Sequence, residues 1–255
     1  MIVSRFDYKL SPDGKSGYGV GYQVLEHAAF DAGEIDMAPQ MLALRRMHNG
    51  DGVVALDCGA NIGPHTLEWA IAMTGWGSVV AIEAQERLFY ALAGNIALNN
   101  CFNARALHAA VGATSGTMDI PTPDYFTPSS LGSLELRQGP KTEDIGQAID
   151  YSPAKAVTIR QLTIDELALP RLDFLKIDIE GMELEGLEGA RKTIEAHTPV
   201  ILVEYIKIGI EPLKAWLEAA GYVVMHAGIN LLAIHKTGKT LKNIQPQAAP
   251  PPAAG

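Results

Sequence analysis

The chain has 255 residues, 47% hydrophobic and 19% charged, with a formal net charge of −9. That suffices for one sizeable α/β domain or at most two small ones, and no apolar run approaches the roughly 18 residues of a membrane span. The acidic balance, with no dense Lys/Arg run, disfavours nucleic acid as a partner.

The N-terminus lacks the apolar h-region of a signal peptide. Cys58 and Cys101, without a CxxC or Cys/His cluster, read as buried free thiols, so a cytoplasmic protein is expected. Residues 1–50 read as a cap or lid. Gly17, Gly19 and Gly21 alternate there with Tyr18, Val20 and Tyr22 as a short hairpin or loop, ahead of helices over about 24–32 and 37–47. From Gly52 onward strand-like and helix-like segments alternate, the pattern of a parallel sheet covered by helices. A buried strand over 53–57 leads through Gly59 and Gly63 into a helix that Pro64 starts and Gly75 ends. A strand over 78–83 follows, then a helix with Leu88, Leu92 and Ile96 on one face, then a strand over about 104–111.

Residues 112–156 break this rhythm as an insertion, rich at first in Pro, Ser, Thr and Gly, and a connection this long is either functional or disordered. After β-rich residues 157–159, Asp165 helps start a short helix. Then come a strand over 174–179, a helix over about 182–196, a strand over 200–204 and a helix over 212–220. A hairpin of strands 222–226 and 231–235 completes the α/β domain, which spans 51–240. The Pro/Ala-rich tail, 241–255, buries too little to fold and is expected to be disordered.

Open parallel sheets bind ligands beyond the carboxyl ends of their strands. The residues at those ends are Asp57 with the loop Gly59 to Gly63, Glu83, residues 108–111, Lys176, Asp178, Glu180 and Glu204. Glu83 lies twenty residues after Gly63, where an acid accepts both hydroxyls of an adenosine ribose. Asp57 immediately before the glycine loop would repel a pyrophosphate. It suits an ammonium or sulfonium, which points to S-adenosylmethionine rather than a dinucleotide. The antiparallel final hairpin agrees.

Two long stretches resemble a known family. Asp57-Cys58-Gly59-Ala60-Asn61-Ile62-Gly63-Pro64-His65-Thr66 is similar to the D-x-G-A-N-x-G-x-x-[ST] of FkbM-type methyltransferases. Asp173-Phe174-Leu175-Lys176-Ile177-Asp178-Ile179-Glu180-Gly181-Met182-Glu183 is similar to that family's D-F-[IL]-K-I-D-[VI]-E-G-x-E. Leu187-Glu188-Gly189-Ala190, Pro199-Val200-Ile201-Leu202-Val203-Glu204 and Ser130-Leu131-Gly132-Ser133 match as well, so the resemblance covers about 50–236. After the acid of the second strand the family usually has proline; Ala84-Gln85 stands here, so the ribose contact is expected with a different local turn.

The resemblance implies a Rossmann-like class I methyltransferase sheet, mostly parallel, of seven strands with an antiparallel last strand and helices on both faces. It implies S-adenosylmethionine, with Gly59, Asn61 and Gly63 around the methionine part and Glu83 on the ribose. Asp57, Ala60, His65, Thr66, Ala84, Ala110 and Asp178 complete the expected cofactor set. Most family members methylate oxygen, so the expected acceptor is a hydroxyl of a small molecule, sugar or glycan. N-methylation of an amide or peptide side chain, an NAD-dependent oxidoreductase and a non-catalytic cofactor-binding module stay open as alternatives, as does a homodimer.

Lys176, Asp178 and Glu180 are the expected catalytic group. If the strand persists, alternation puts all three on one side. They hold the methionine ammonium and position the acceptor, the reading preferred here, or Asp178 or Glu180 is a general base. In a third reading Asp178, Glu180 and Glu204 chelate Mg²⁺. Acid spacing alone is a weak ligand pattern, so no metal ligand is assigned. A purely structural alternative pairs Lys176 in a salt bridge and leaves Glu180 as a helix N-terminal charge. In the insertion Tyr125, Phe126 and 130–133 are candidates for acceptor contact or for a lid. His108 reads as a packed strand residue.

Overall fold

A computed structural model describes residues 1–243 apart from 12, 14, 15, 28–31 and 141; the tail expected to be disordered lies outside the described residues except for 241–243. In chain order the elements are β1 (Lys9–Leu10), β2 (Gly17–Tyr18), α1 (Val20–His27), α2 (Ala32–Asn49), β3 (Val53–Cys58), α3 (Pro64–Ala72), β4 (Gly77–Glu83), α4 (Glu86–Leu98), β5 (Ala104–His108) and β6 (Ala110–Val111). There follow β7 (Gly116–Pro121), β8 (Ala156–Leu162), β9 (Phe174–Ile177), α5 (Glu183–Glu188), α6 (Arg191–His197), β10 (Val200–Glu204), α7 (Ile210–Ala219), β11 (Tyr222–Ala227) and β12 (Asn230–His235). No described helix is long and apolar enough to cross a membrane.

The main sheet has seven strands in the order β11-β12-β10-β9-β3-β4-β5. Strands β10, β9, β3, β4 and β5 run parallel, and β12 lies antiparallel between β10 and β11. This is the expected class I arrangement. The central strands are apolar on both faces because helices cover both. Alternation along β3 sends Leu56 and Cys58 toward a core with Leu187 of α5 and Leu213 of α7. It sends Val53 and Ala55 toward Leu42 of α2, Trp69 of α3 and Leu92 of α4. Trp69 meets Phe174 of β9 edge-on, ring centres 5.2 Å apart. Helix α2 is therefore part of the main packing, and its Arg45 reaches the buried Asp173 at 3.1 Å, at the end of β9 away from the strand tips.

Three elements differ from expectation. The strand expected over 104–111 breaks at Ala109, and β6 leaves to pair with β8 in a second sheet of order β6-β8-β7. The inserted segment is therefore mounted on an antiparallel β7–β8 pair whose loop runs over 122–155. The helix expected over 182–196 is two helices that meet at Gly189 and Ala190, and at Gly189 a Cβ would fall 2.1 Å from the Gly112 carbonyl oxygen. The short helix expected at Asp165 is a 3₁₀ turn over Asp165–Leu167, and the Asp165 carboxylate also accepts from the Thr193 and Lys192 N–H groups and so caps α6. The strand expected over 174–179 ends at Ile177, where the backbone begins a turn that passes through positive φ at Glu180 (52°) and Gly181 (96°).

Candidate active site

The tips of β3, β4, β9 and β10 surround one cavity of about 410 Å³, a volume within the range of small-ligand sites. At its β4 side the loop after β3 folds against the strand end. The Gly59 and Ala60 N–H groups both donate to the Ile82 carbonyl at 3.0 Å. The Asn61 N–H donates to Glu83 Oε2 at 2.8 Å, and the Gln85 N–H to Glu83 Oε1 at 2.8 Å. Burial pushes the Glu83 carboxyl up to about 7 despite these two bonds. Each carboxylate oxygen can accept a further bond, so Glu83 can still take hydroxyl donors from the cavity. Asn61 sits at φ 52° and Gly59 at φ 79°. Gly59 is also a packing requirement: a Cβ there would lie 1.7 Å from the Asp178 carbonyl oxygen. The glycine loop and the tip of β9 are thus in backbone contact.

At the opposite side, Glu183 Oε1 accepts from the Ile179 and Gly181 N–H groups at 3.1 and 3.0 Å and holds the turn after β9. This turn, and not strand alternation, brings Asp178 and Glu180 to the same cavity. Lys176 Nζ stands 2.9 Å from Asp178 Oδ2 and 3.9 Å from Asp57 Oδ1. Lys207 lies 3.3 Å from Glu180 and also reaches Glu135 (3.7 Å) and Glu143 (2.5 Å) of the insertion. Burial alone would lower the Lys207 ammonium, but Glu180 and Glu143 hold it above its ordinary value. Glu204, at the tip of β10, is 8% exposed, and burial followed by the Asp178 charge pushes it up to about 8. Glu180 is raised by burial, then by Asp178 and Glu204.

The roof comes from two distant segments. Tyr18, Gly19, Val20 and Gln23 form one part, and Ser130, Gly132 and Ser133 the other. The buried Asp7 ties them together, its Oδ2 accepting from the Gly21 N–H and its Oδ1 from the Leu131 N–H, both at 2.9 Å. Gly132 rests on the glycine loop, where a Cβ would meet the Asn61 side-chain nitrogen at 2.7 Å. Gln85 Nε2 donates to the Leu131 carbonyl at 2.8 Å, leaving its buried Oε1 with no hydrogen-bond partner among the described residues. On this side Glu83 can accept hydroxyl donors, and the Gln85 amide oxygen is a second acceptor.

Among the sequence-predicted cofactor residues, Gly59, Ala60, Asn61, His65, Glu83, Ala84, Ala110 and Asp178 line the cavity, and Lys176 and Glu180 join them. Asp57, Gly63 and Thr66 lie outside its lining. The fully buried Asp57 accepts the Thr66 hydroxyl bond at 2.6 Å beneath the loop, so it does not face a ligand and cannot select a cation by direct contact. Gly63 gives α3 its left-handed start, with a Cβ there only 2.7 Å from Leu92. His65 is buried beside Trp69, ring centres 5.6 Å apart. His108 stacks on Phe89 and lies 3.0 Å from the Ala84 carbonyl, the packed role expected of it. Tyr125 and Phe126 border a separate cavity with Phe6 and Arg87, not the one at the strand tips.

Sequence reasoning missed Gln85, Lys207, Glu143 and Tyr18. Gln85 carried a signal, standing two residues past Glu83 in the stretch where this chain departs from the family's usual pattern. Lys207 lies three residues past a strand-end acid, a weaker one. Glu143 carried none, because only the folded insertion brings it near β9.

The chain matches the Methyltransferase FkbM domain over residues 57–224. No curated protein sequence matches it. Among solved structures, the methyltransferase FkbM from Methylobacillus flagellatus KT is 18% identical with a TM-score of 0.49, over 72% of this chain and 43% of that one. The chain thus spans under half the length of that structure. A precorrin-6y C5,15-methyltransferase from Geobacter metallireducens GS-15 is 15% identical, with a TM-score of 0.44 over 84% of this chain and 95% of that one. A SAM dependent methyltransferase from Aquifex aeolicus is 15% identical, with a TM-score of 0.38 over 80% and 97%.

Proposed function

Given that the chain belongs to the FkbM methyltransferase family, and so to the S-adenosylmethionine-dependent methyltransferases, we propose that it methylates a hydroxyl oxygen of a small molecule, sugar or glycan. That membership removes the dinucleotide oxidoreductase reading. The observation that carries the proposal is the single cavity joining Glu83 and the glycine loop to the acidic tips of β9 and β10. One end suits a nucleoside, and the other presents carboxylates to whatever lies beside it.

When bound, S-adenosylmethionine supplies an electrophilic methyl carbon. Glu83 would hold the ribose hydroxyls, and the backbone of Gly59 to Asn61 would face the methionine part. Lys176 is a positioning residue: its ammonium, 2.9 Å from Asp178, fixes that carboxylate at the cavity wall. Asp178, Glu180 and Glu204 form the acceptor end, where oriented carboxylates hold a hydroxyl in near-attack position. The roof segments would cover the nucleoside side, where Gly132 rests on the glycine loop.

Calorimetric titration with S-adenosylhomocysteine tests the donor half, with binding expected in the wild type. Incubation with labelled methyl donor and host extract tests the acceptor half. A labelled hydroxyl product supports the reading; label on nitrogen overturns the oxygen assignment, and the absence of any product overturns the catalytic one.

A further inference from the structure

The acidic end of the cavity has more carboxyl groups than cations. Asp178, Glu180 and Glu204 each offer a carboxylate oxygen, and these oxygens all lie within 4.8 Å of one another. Lys176 pairs with Asp178 and Asp57, and Lys207 pairs with Glu180, Glu135 and Glu143. Both cations also act on Glu204 electrostatically, but less than its burial and the neighbouring Asp178 and Glu183. More than nine-tenths of Glu204 is buried, it lines the cavity, and its Oε2 has no hydrogen-bond partner among the described residues. A buried, unpartnered carboxylate oxygen is costly unless something cationic or protic completes it.

We propose that Asp178, Glu180 and Glu204 form a binding site for one divalent cation of the Mg²⁺ or Mn²⁺ type, with the Glu204 oxygen as its most deeply buried ligand. The donor set favours a hard cation. It is all carboxylate, with no imidazole or thiolate in the cluster, which argues against zinc and copper. Three protein oxygens leave part of an octahedral shell open, and Mg²⁺ commonly completes its shell with water and substrate oxygens. The cavity supplies the space for them. It follows, resting on the methyl-transfer reading above, that the preferred acceptor carries two neighbouring oxygens, such as vicinal hydroxyls or a hydroxyl beside a carboxylate. The cation site itself does not depend on that reading.

The test uses the full chain and Mn²⁺ alone, followed by the loss of the free-ion electron paramagnetic resonance signal. One Mn²⁺ per chain is expected, displaced by excess Mg²⁺, with affinity reduced at least tenfold in Glu204→Gln. Asp178→Asn serves as the second variant should Glu204→Gln fail to fold, circular dichroism reporting which has. No Mn²⁺ uptake at millimolar concentration, or equal uptake by the wild type and a folded variant, overturns the site. Titration with S-adenosylhomocysteine in the same samples keeps the two readings apart. Mn²⁺ uptake without nucleoside binding sustains the cation site and sinks the donor assignment; nucleoside binding without Mn²⁺ uptake does the reverse.

Discussion

Glu83 and Glu204 end parallel strands on opposite sides of β3 and β9, and both are buried carboxylates lining one cavity. Glu83 accepts two backbone N–H bonds, one from the loop after β3 and one from the turn that follows its own strand. Glu204 has a buried oxygen that accepts none among the described residues. The first carboxylate is fixed before any ligand arrives, and its burial is offset locally. The second keeps a buried oxygen without a hydrogen-bond partner among the described residues, and the Asp178 charge beside it adds to the effect of burial. Two acids at equivalent places in a fold can therefore serve different ends, and the hydrogen-bond ledger separates them where burial does not.

The largest change expected comes from joining the two ends badly. Gly59→Ala drives a methyl into the Asp178 carbonyl oxygen and adds strain at a positive φ. Stability should fall by roughly 3 kcal/mol, seen as a melting temperature lower by about 6–12 °C. An unchanged melting curve would show that the β3 loop and the β9 tip are independent.

Glu83→Ala strikes one side alone. It removes the ribose acceptor and strands the Asn61 and Gln85 N–H groups, so S-adenosylhomocysteine affinity should drop about 100-fold by calorimetry. A loss below threefold would mean that Glu83 is merely a loop clamp.

The pH dependence is gentler. In the unliganded protein the Glu83 carboxyl is raised from 4.5 to about 7, so the stability it contributes is present below pH 4.5 and lost as the pH rises through 7. A ribose donating hydroxyl bonds favours the ionised form, so affinity runs the other way. It should strengthen roughly tenfold between pH 6 and 8, and Glu83→Gln should flatten the profile.

Thr66→Val is the mildest. Removing the 2.6 Å bond to Asp57 should cost about 1 kcal/mol in denaturant unfolding and leave nucleoside affinity within twofold. A large loss of affinity instead would return Asp57 to the ligand-binding set.

These expectations also mark where the sequence could be read and where it could not. The β3–loop–α3 unit and Glu83 were legible because everything that shapes them lies within a few tens of residues: a β-branched run, Gly59, Gly63, Pro64 and an acid at the next strand end. The placement of the Asp57 side chain was not legible, for a physical reason. Sequence places its backbone at a strand end but does not reveal that Thr66 and Lys176 enclose its side chain from below. Asp178 and Glu180 were brought together correctly on a wrong premise, since a left-handed turn, not continued strand, aims them. Lys207 and its insertion partners were not legible, because a pairing across 64 residues to Glu143 has no local signature.

The Asp7 clip has a consequence for how the molecule assembles. The floor of the site closes across 22 residues, from Asn61 to Glu83, whereas Asp7 reaches Leu131 across 124. Chain-closure entropy makes the longer loop costlier by about 1.5 kcal/mol. When sequence separation governs the order of events, the nucleoside floor forms as an open shelf and its roof is fastened later. A nascent chain that has emerged as far as Gln85 already carries that shelf's hydrogen-bonding residues, but not the Leu131 segment that Asp7 fastens over it.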